Sequence, residues 1–368
     1  MSNLDTQLEQ TATSALKTCH FIFPGDINTA SGGYRYDREI IRGLQAQNWE
    51  VSLISLEGAY PNPTHEDKAL AQHAVDDLPE SSLVVIDGLA LGASPELAEH
   101  VARKHRLIAL VHHPLCLESG IDPRLAADLK TLEIAALKYA THVIVTSSAT
   151  KTNFEELMGV PSQNISVVLP GTDRPDLSCL QRKNTSSEPV KLLCVGSLVP
   201  RKGQLHLVEA MSKLQDLEWQ LDLIGSTSFA PDYAVQVRKR IAHYGLSDRI
   251  NLRGGIPKAE LTGFYERADV FVLPTYYEGY GMAFAEAMSF GLPVIASGDG
   301  AVSSTVPSSA GIHFKVGDES ELKDALHLLL TDSTRRQELS KGAAAAARAL
   351  PDWNESAQAF SSILEAQL

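Results

Sequence analysis

Two glutamates, Glu278 and Glu286, stand with seven residues between them in EGYGMAFAEAMSFGLPVIAS (278–297), a stretch otherwise small or apolar. A carboxylate on so apolar a background is costly unless something pairs with it. Two chemistries meet that need. A basic side chain can form an ion pair, or a ligand can donate hydroxyl groups, and a ribose diol brings two donors to one carboxylate. Backbone amides at a helix N-terminus hold phosphate, and Gly279, Tyr280, Gly281 and Met282 are placed to supply them. Three other loops combine glycine, charge and a following helix. In SGGYRYDREI (31–40) the adjacent Gly32 and Gly33 let backbone approach a ligand. In VHHPLCLESG (111–120), His112 and His113 end a strand before a proline, where a histidine donates to a sugar hydroxyl or serves as acid or base. A capping histidine is the alternative there; zinc is disfavoured, because no second ligand cluster lies nearby in sequence. In VGSLVPRKGQLH (195–206) the pair Arg201–Lys202 precedes a helix and is suited to neutralise a diphosphate, a solvated basic turn being the alternative. The spacing of a P-loop is absent there.

These loops need a scaffold, and the hydrophobic pattern provides one. Short apolar runs alternate with helical ones: HFIFP (20–24), a helix from 36 to 47, EVSLISL (50–56), SLVVIDGLAL (82–91), a helix at 95–105, RLIALVHHP (106–114), a helix at 124–139, THVIVTS (141–147), a helix at 149–158 and ISVVLPGTD (165–173). Such β-α repetition predicts a parallel sheet covered on both faces. After a polar stretch, LSCLQRKNTSSEP, the pattern restarts with KLLCVGSL (191–198). It continues through WQLDLIG (219–225), RINLRGG (249–255), VFVLP (270–274) and VIAS, with helices at 203–214, 231–243, 258–267, 282–290, 319–330 and 333–348. VFVLP is expected to stop at its proline, which puts Glu278 on a strand-to-helix loop and Glu286 one to two turns into the helix. Two doubly wound domains follow, with the ligand in the cleft between them at the carboxyl ends of the strands. The expected divisions are a flexible lead-in (1–18), a first domain (19–173), a linker (174–189), a second domain (190–350) and a terminal helix (351–368) crossing the junction.

The chain has 368 residues, ample for two cores, and its formal net charge is −13. Residues 1–173 carry 12 basic and 22 acidic side chains, net −10; the rest carry 20 and 23, net −3. An acidic whole argues against nucleic acid as a partner and disfavours docking on anionic lipid. The lead-in shows no signal-peptide core, no apolar run is long enough to span a membrane, and the four cysteines show no CxxC pair. A cytoplasmic location with reduced thiols is the expectation. The helix bearing Arg35, Arg38 and Arg42 beside Asp37 and Glu39 reads as a solvated face, with contact to a lipid headgroup as the other possibility.

Across roughly residues 20–365 these motifs resemble the retaining GT-B glycosyltransferases of the family 4 group, whose fold is two Rossmann-like domains facing each other across a cleft. The most specific part is the E-x7-E pattern between VFVLPTYYEGYG and GLPVIAS; VVLPGTD is similar to the family's interdomain junction and VGSLVPRKG to its phosphate-binding entry. The resemblance implies that Glu286 binds the donor's ribose. Glu278 and the amides of Gly279, Tyr280, Gly281 and Met282 would approach the transferred sugar. Lys202, with a nearby arginine, would hold the diphosphate. Gly32 and Gly33 would border the donor phosphate and the acceptor, and His113 would contact the sugar. Ile224, Gly225, Gly255 and Ile256 would line the base. Many members carry arginine where Ser197 stands, so Arg201 is the candidate replacement.

The implied activity is retaining, metal-independent transfer of a hexose from a nucleotide diphosphate sugar to an acceptor hydroxyl. Uridine is the commonest base and guanosine the next; no cofactor is implied. An envelope lipid or lipid-linked glycan is the expected acceptor, with peripheral contact at the inner face of the membrane. A small soluble acceptor is the alternative, favoured by the acidic first half. A catalytically degenerate sugar-nucleotide-binding protein rests on Ser197 alone. A dinucleotide-dependent oxidoreductase is disfavoured, because PGDINTASGGYR replaces the GxGxxG such an enzyme needs.

Overall fold

A computed structural model describes residues 17–118, 120–175 and 189–368. Most of the expected lead-in and linker, and Cys179, lie outside the described residues; Cys19, Cys116 and Cys194 are free thiols. The first domain runs β1 (Lys17–Pro24), α1 (Gly32–Ala46), β2 (Trp49–Leu56), α2 (His65–His73), β3 (Leu83–Asp87), α3 (Gly88–Leu91), α4 (Pro95–Ala102), β4 (Arg106–Val111), α5 (Pro123–Leu137), β5 (His142–Val145), α6 (Ser148–Met158) and β6 (Ile165–Val167). The second runs β7 (Val190–Val195), α7 (Gln204–Ser212), β8 (Trp219–Ile224), α8 (Pro231–His243), β9 (Ile250–Gly254), α9 (Lys258–Arg267), β10 (Val270–Glu278), α10 (Met282–Ser289), β11 (Val294–Gly300), α11 (Val302–Thr305), β12 (Gly311–His313), α12 (Glu319–Thr331) and α13 (Ser333–Arg348), and α14 (Trp353–Glu365) follows.

Each domain is a parallel six-stranded sheet, as the alternating pattern requires. The strand orders are β2-β1-β3-β4-β5-β6 and β12-β11-β10-β7-β8-β9. The second is the doubly wound order whose switch point falls between the first and fourth strands, β7 and β10 here. Glu278, at the end of β10, and the 195–206 loop, after β7, both sit at that switch point. Apolar side chains fill both faces of the sheets. Leu192, Leu223, Phe271 and Val294 lie in the second core; Phe21, Val85, Ile108 and Ile144 lie on one face of the first sheet.

Several boundaries differ from expectation, each for a local reason. Helix α1 begins at Gly32, because Ser31 caps it by accepting from the Tyr34 N–H. Gly32 and Gly33 are therefore first-turn helical residues, not a free loop. Strand β10 continues through Pro274 to Glu278. Its ladder with β7 involves only Val270 and Phe271, so the missing proline N–H removes nothing on that side, and a register shift against β11 between Pro274 and Tyr277 absorbs the change. Glu278 is thus a strand-end residue. Helix α2 escaped the pattern search; it opens with a Thr64–Asp67 capping box, in which aspartate replaces the usual Glu or Gln at the third position.

The terminal helix α14 lies against the first domain. Phe360 and Leu364 enter that core, Trp49 Nε1 donates to Ser361 Oγ at 2.8 Å, and Ser356 Oγ donates to the Leu169 carbonyl at 2.7 Å. No helix among the described residues is long and apolar enough to cross a membrane.

Candidate active site

On the second domain the site begins with bare backbone. The Gly196 N–H donates to the Ile224 carbonyl at 2.9 Å and the Gly225 N–H to the Gly254 carbonyl at 2.8 Å. The ends of β7, β8 and β9 are thereby stitched side by side, bringing Ser197, Ile224, Gly225 and Gly255 together; Ile256 follows directly in the chain. A Cβ on Gly225 would sit 1.9 Å from the Gly196 carbonyl oxygen. Gly225 therefore tolerates no side chain.

The charges come next. Pro200–Lys202 form a single 3-10 turn that ends at Gly203, whose φ of +67° suits glycine. A Cβ on Gly203 would lie 2.0 Å from the Pro274 carbonyl oxygen, so this turn is pressed onto β10. That contact delivers Lys202 Nζ to within 2.6 Å of Glu278 Oε1. Arg201 reaches Glu278 Oε1 at 3.5 Å, donates to the Tyr277 carbonyl at 2.7 Å and to Glu118 Oε1 at 2.8 Å. Burial alone raises the Glu278 carboxyl, but Lys202 and Arg201 outweigh it and hold the group below its usual range. Burial pulls Lys202 down, with Glu278 opposing. Burial likewise raises Glu118, yet His113 and Arg201 bring it to about 2. His113 Nε2 lies 3.3 Å from Glu118 Oε2. The expected diphosphate cations are therefore present, and carboxylates already engage both.

The first domain supplies a trio, two buried aspartates and a half-buried histidine, that the sequence concealed. His112 Nε2 lies 3.1 Å from Asp37 Oδ1 and 3.3 Å from Asp87 Oδ2. Asp37 is fully buried and Asp87 nearly so. They come from α1, the end of β3 and the loop after β4, far apart in the chain. Burial by itself lowers the imidazole, but the two carboxylates outweigh it and raise His112 to about 10. Among the described residues, this trio alone groups three ligand-type atoms closely enough to hold a metal ion. The spacing argument against a metal at His112 thus loses its ground. The contact to Asp37 is a hydrogen bond and the longer one to Asp87 is at ion-pair distance, both from a single ring nitrogen. The ring packs under α1: a Cβ on Gly33 would approach His112 Cδ2 to 3.0 Å.

The two domains meet directly over these groups. A Cβ on Gly279 would lie 2.0 Å from the His112 carbonyl oxygen, and one on Gly32 would lie 3.7 Å from Met282 Sδ. Thr150 Oγ1 donates to the Gly279 carbonyl at 3.3 Å, and Asn153 Nδ2 to Tyr277 Oη at 2.9 Å. Glu286 accepts from Tyr265 Oη at 2.9 Å and forms an ion pair with Arg35 of the opposite domain. Of the two partners foreseen for this carboxylate, the basic one is in place.

The solvated arginine face expected of α1 is thereby corrected. Arg35 bridges the domains, and Arg38 donates to the Ile27 and Thr29 carbonyls; Arg42 alone is exposed, beside Glu39. The structure sets Gly32 beside Met282, Gly33 over His112, Gly279 against His112 and His113, Arg201 and Lys202 against Glu278, and Glu286 against Arg35. A surface cavity of about 320 Å³ between Lys191, Asp222, Arg253 and Phe264 lies apart from all of them.

Comparison with known proteins follows the same geometry. A family model described as "Glycosyl transferases group 1" matches residues 180–346. A GDP-mannose-dependent alpha-(1-6)-phosphatidylinositol monomannoside mannosyltransferase from Mycobacterium tuberculosis is 29% identical over 209 residues, 52% of this chain and 53% of the relative. A D-inositol 3-phosphate glycosyltransferase from Xylanimonas cellulosilytica is 33% identical over 171 residues, 46% of this chain and 40% of the relative. The chain thus spans about half the length, or less, of the curated relatives it matches. Sucrose-phosphate synthase from Thermosynechococcus elongatus superposes with a TM-score of 0.78 at 22% identity, covering 95% of this chain and 98% of that one. At that identity the likeness speaks for the fold.

Proposed function

We propose that the chain, whose residues 180–346 match the group 1 glycosyl transferases and whose fold is GT-B, moves a hexose from a nucleoside diphosphate sugar to an acceptor hydroxyl, with retention and without a divalent metal. One observation carries this reading: Lys202 and Arg201 meet Glu278 at a strand end of the second domain, Glu286 faces the first domain from the helix that follows, and Gly225 beside them admits no side chain. The bare shelf at Gly196, Gly225 and Gly255 suits a planar base. Glu286 takes the ribose diol. Lys202 and Arg201 neutralise the leaving diphosphate, preorganised cations being most effective where water is excluded. Glu278 and the Gly279–Met282 backbone orient the sugar, and His113 reaches it from the first domain. In a front-face transfer the leaving phosphate oxygen takes the acceptor proton as the C1–O bond to it breaks and the new glycosidic bond forms. No side-chain nucleophile is then required.

Guanosine comes ahead of uridine as the base, because the Mycobacterium tuberculosis relative is GDP-mannose-dependent. That relative is a phosphatidylinositol monomannoside mannosyltransferase, which supports a lipid-linked acceptor and peripheral membrane contact. The net charge of −10 over residues 1–173 favours the second reading, a soluble acceptor. Co-sedimentation with vesicles of anionic lipid at low salt separates the two: protein left wholly in the supernatant removes the membrane reading.

A thermal-shift panel of GDP, UDP, ADP and NADH on the wild type and on Glu286→Gln tests the donor. One nucleoside diphosphate should stabilise the wild type by about 2.7 kcal/mol at a hundredfold excess over its Kd. The gain should vanish in the variant. Turnover with the matching sugar nucleotide should survive EDTA. A wild type indifferent to every nucleotide would refute the donor assignment, and turnover abolished by EDTA would refute metal independence.

A further inference from the structure

Arg35 occupies the carboxylate assigned above to the donor. Both oxygens of Glu286 are engaged: Oε2 by Tyr265 at 2.9 Å and Oε1 by Arg35. Their origins differ. Tyr265 belongs to the same domain as Glu286 and is stacked on Phe290, with ring centroids 5.1 Å apart, so it is a fixed partner. Arg35 reaches across from α1 of the other domain. A ribose diol entering the cleft has to take its place on Oε1.

Arg35 has somewhere to go. Its Nη2 already lies 2.9 Å from Asp173 Oδ2, and Lys258 Nζ reaches the same oxygen at 2.5 Å. The guanidinium also sits 5.8 Å from the Trp353 ring centroid, and its Nε has no hydrogen-bond partner in the structure. It can therefore release Glu286 while keeping Asp173 as counter-charge and Trp353 as support. The pair with Glu286 is well shielded, with side-chain exposures of 18% and 17%. A pair this sheltered escapes most of the screening that weakens surface ion pairs.

We infer that Arg35 is a donor-responsive positioning residue: it latches the two domains through Glu286 in the empty enzyme and surrenders that carboxylate to the donor's ribose. The inference rests on the ribose reading of Glu286 for its second half only. The latch itself stands on the Arg35–Glu286–Asp173–Lys258 chain of charges.

The test uses the full chain. In Arg35→Gln the carboxylate has lost its competitor, so Kd for the stabilising nucleoside diphosphate should fall by about three- to tenfold, the range of a partly buried charge contact. Donor KM should fall in parallel while kcat moves less. In a Glu286→Gln background the same change should do nothing, because Arg35 acts through that carboxylate. Small-angle scattering of the empty protein should show a larger radius of gyration for Arg35→Gln than for the wild type. The charge swap Arg35→Glu with Glu286→Arg should restore the compact value, and Arg35→Lys controls for folding. Nucleotide binding that is unchanged or weaker in Arg35→Gln overturns the handover. Unchanged scattering overturns the latch. If no nucleotide binds the wild type, the donor reading is what fails, and the scattering arm still decides the latch.

Discussion

Lys202→Met should lower turnover by about a hundred- to a thousandfold, the cost of removing one preorganised charge from a leaving group. It should also lower stability by about 3 kcal/mol, near the low end for breaking a buried ion pair, because Arg201 stays 3.5 Å from the stranded Glu278. A second variant separates the two effects. Lys202→Met with Glu278→Gln removes the unpaired charge, so most of the stability should return while turnover stays low. Equilibrium urea unfolding and initial rates with the matching sugar nucleotide measure both. Recovery of turnover in the double variant would assign Lys202 a structural role only. The pH dependence has a definite sign. Glu278 and Glu118 are both depressed in the folded state, Glu118 to about 2. Their contribution is complete above the ordinary glutamate value of about 4.3 and is lost as pH falls through the folded values. In Lys202→Met, burial acts on Glu278 with less opposition, so acid should protonate that carboxyl sooner. The stability gap between variant and wild type should then narrow below pH ~5.

Much of this arrangement is legible in the sequence because it is encoded locally. VFVLP, WQLDLIG and KLLCVGSL announce buried strands by composition, and GLPVIAS marks a helix end followed by a strand restart. The second-domain half of the cleft is built from residues close to those strand ends. Its charge pairing follows from one tight approach, the Gly203 turn against Pro274. Other features depend on long-range contacts that no local pattern records. Arg35 looks like any arginine among helix charges, and its partner is carried by another domain. Glu118 falls in an unremarkable loop, yet it ties His113 to Arg201. The Asp37–Asp87–His112 trio is assembled from three elements. Its one local trace is an aspartate closing the apolar run LVVID, where a strand end faces the cleft. The run of β10 past Pro274 is also a tertiary outcome, since it depends on where β7 stops pairing.

That trio gives the second large effect. His112→Gln leaves two buried carboxylates, Asp37 and Asp87, close together with the more weakly acting Arg38 as the remaining cation near Asp37. At neutral pH the cost should be about 3–5 kcal/mol. The wild type and the variant should then differ in the pH range over which stability changes. His112 is raised to about 10, although burial alone would lower it, because Asp37 and Asp87 surround the ring. A cation raised in this way contributes fully below the unfolded histidine value of about 6.5, and the contribution is lost as pH rises through about 10. The wild type should lose stability steadily from pH 7 to 10, and the variant should lose less over that span. On the acid side the order reverses. Burial raises Asp37 to about 6 even with His112 beside it, so without the histidine it should hold a proton more readily still. The variant should regain stability between pH 7 and 5, where a proton on Asp37 removes the charge that the missing imidazolium had balanced. Urea midpoints of both proteins from pH 5 to 10 measure this directly. A wild-type midpoint that is flat between pH 7 and 10 would mean that His112 is neutral in the fold, and that the ring beneath Gly33 presents no positive charge to the cleft.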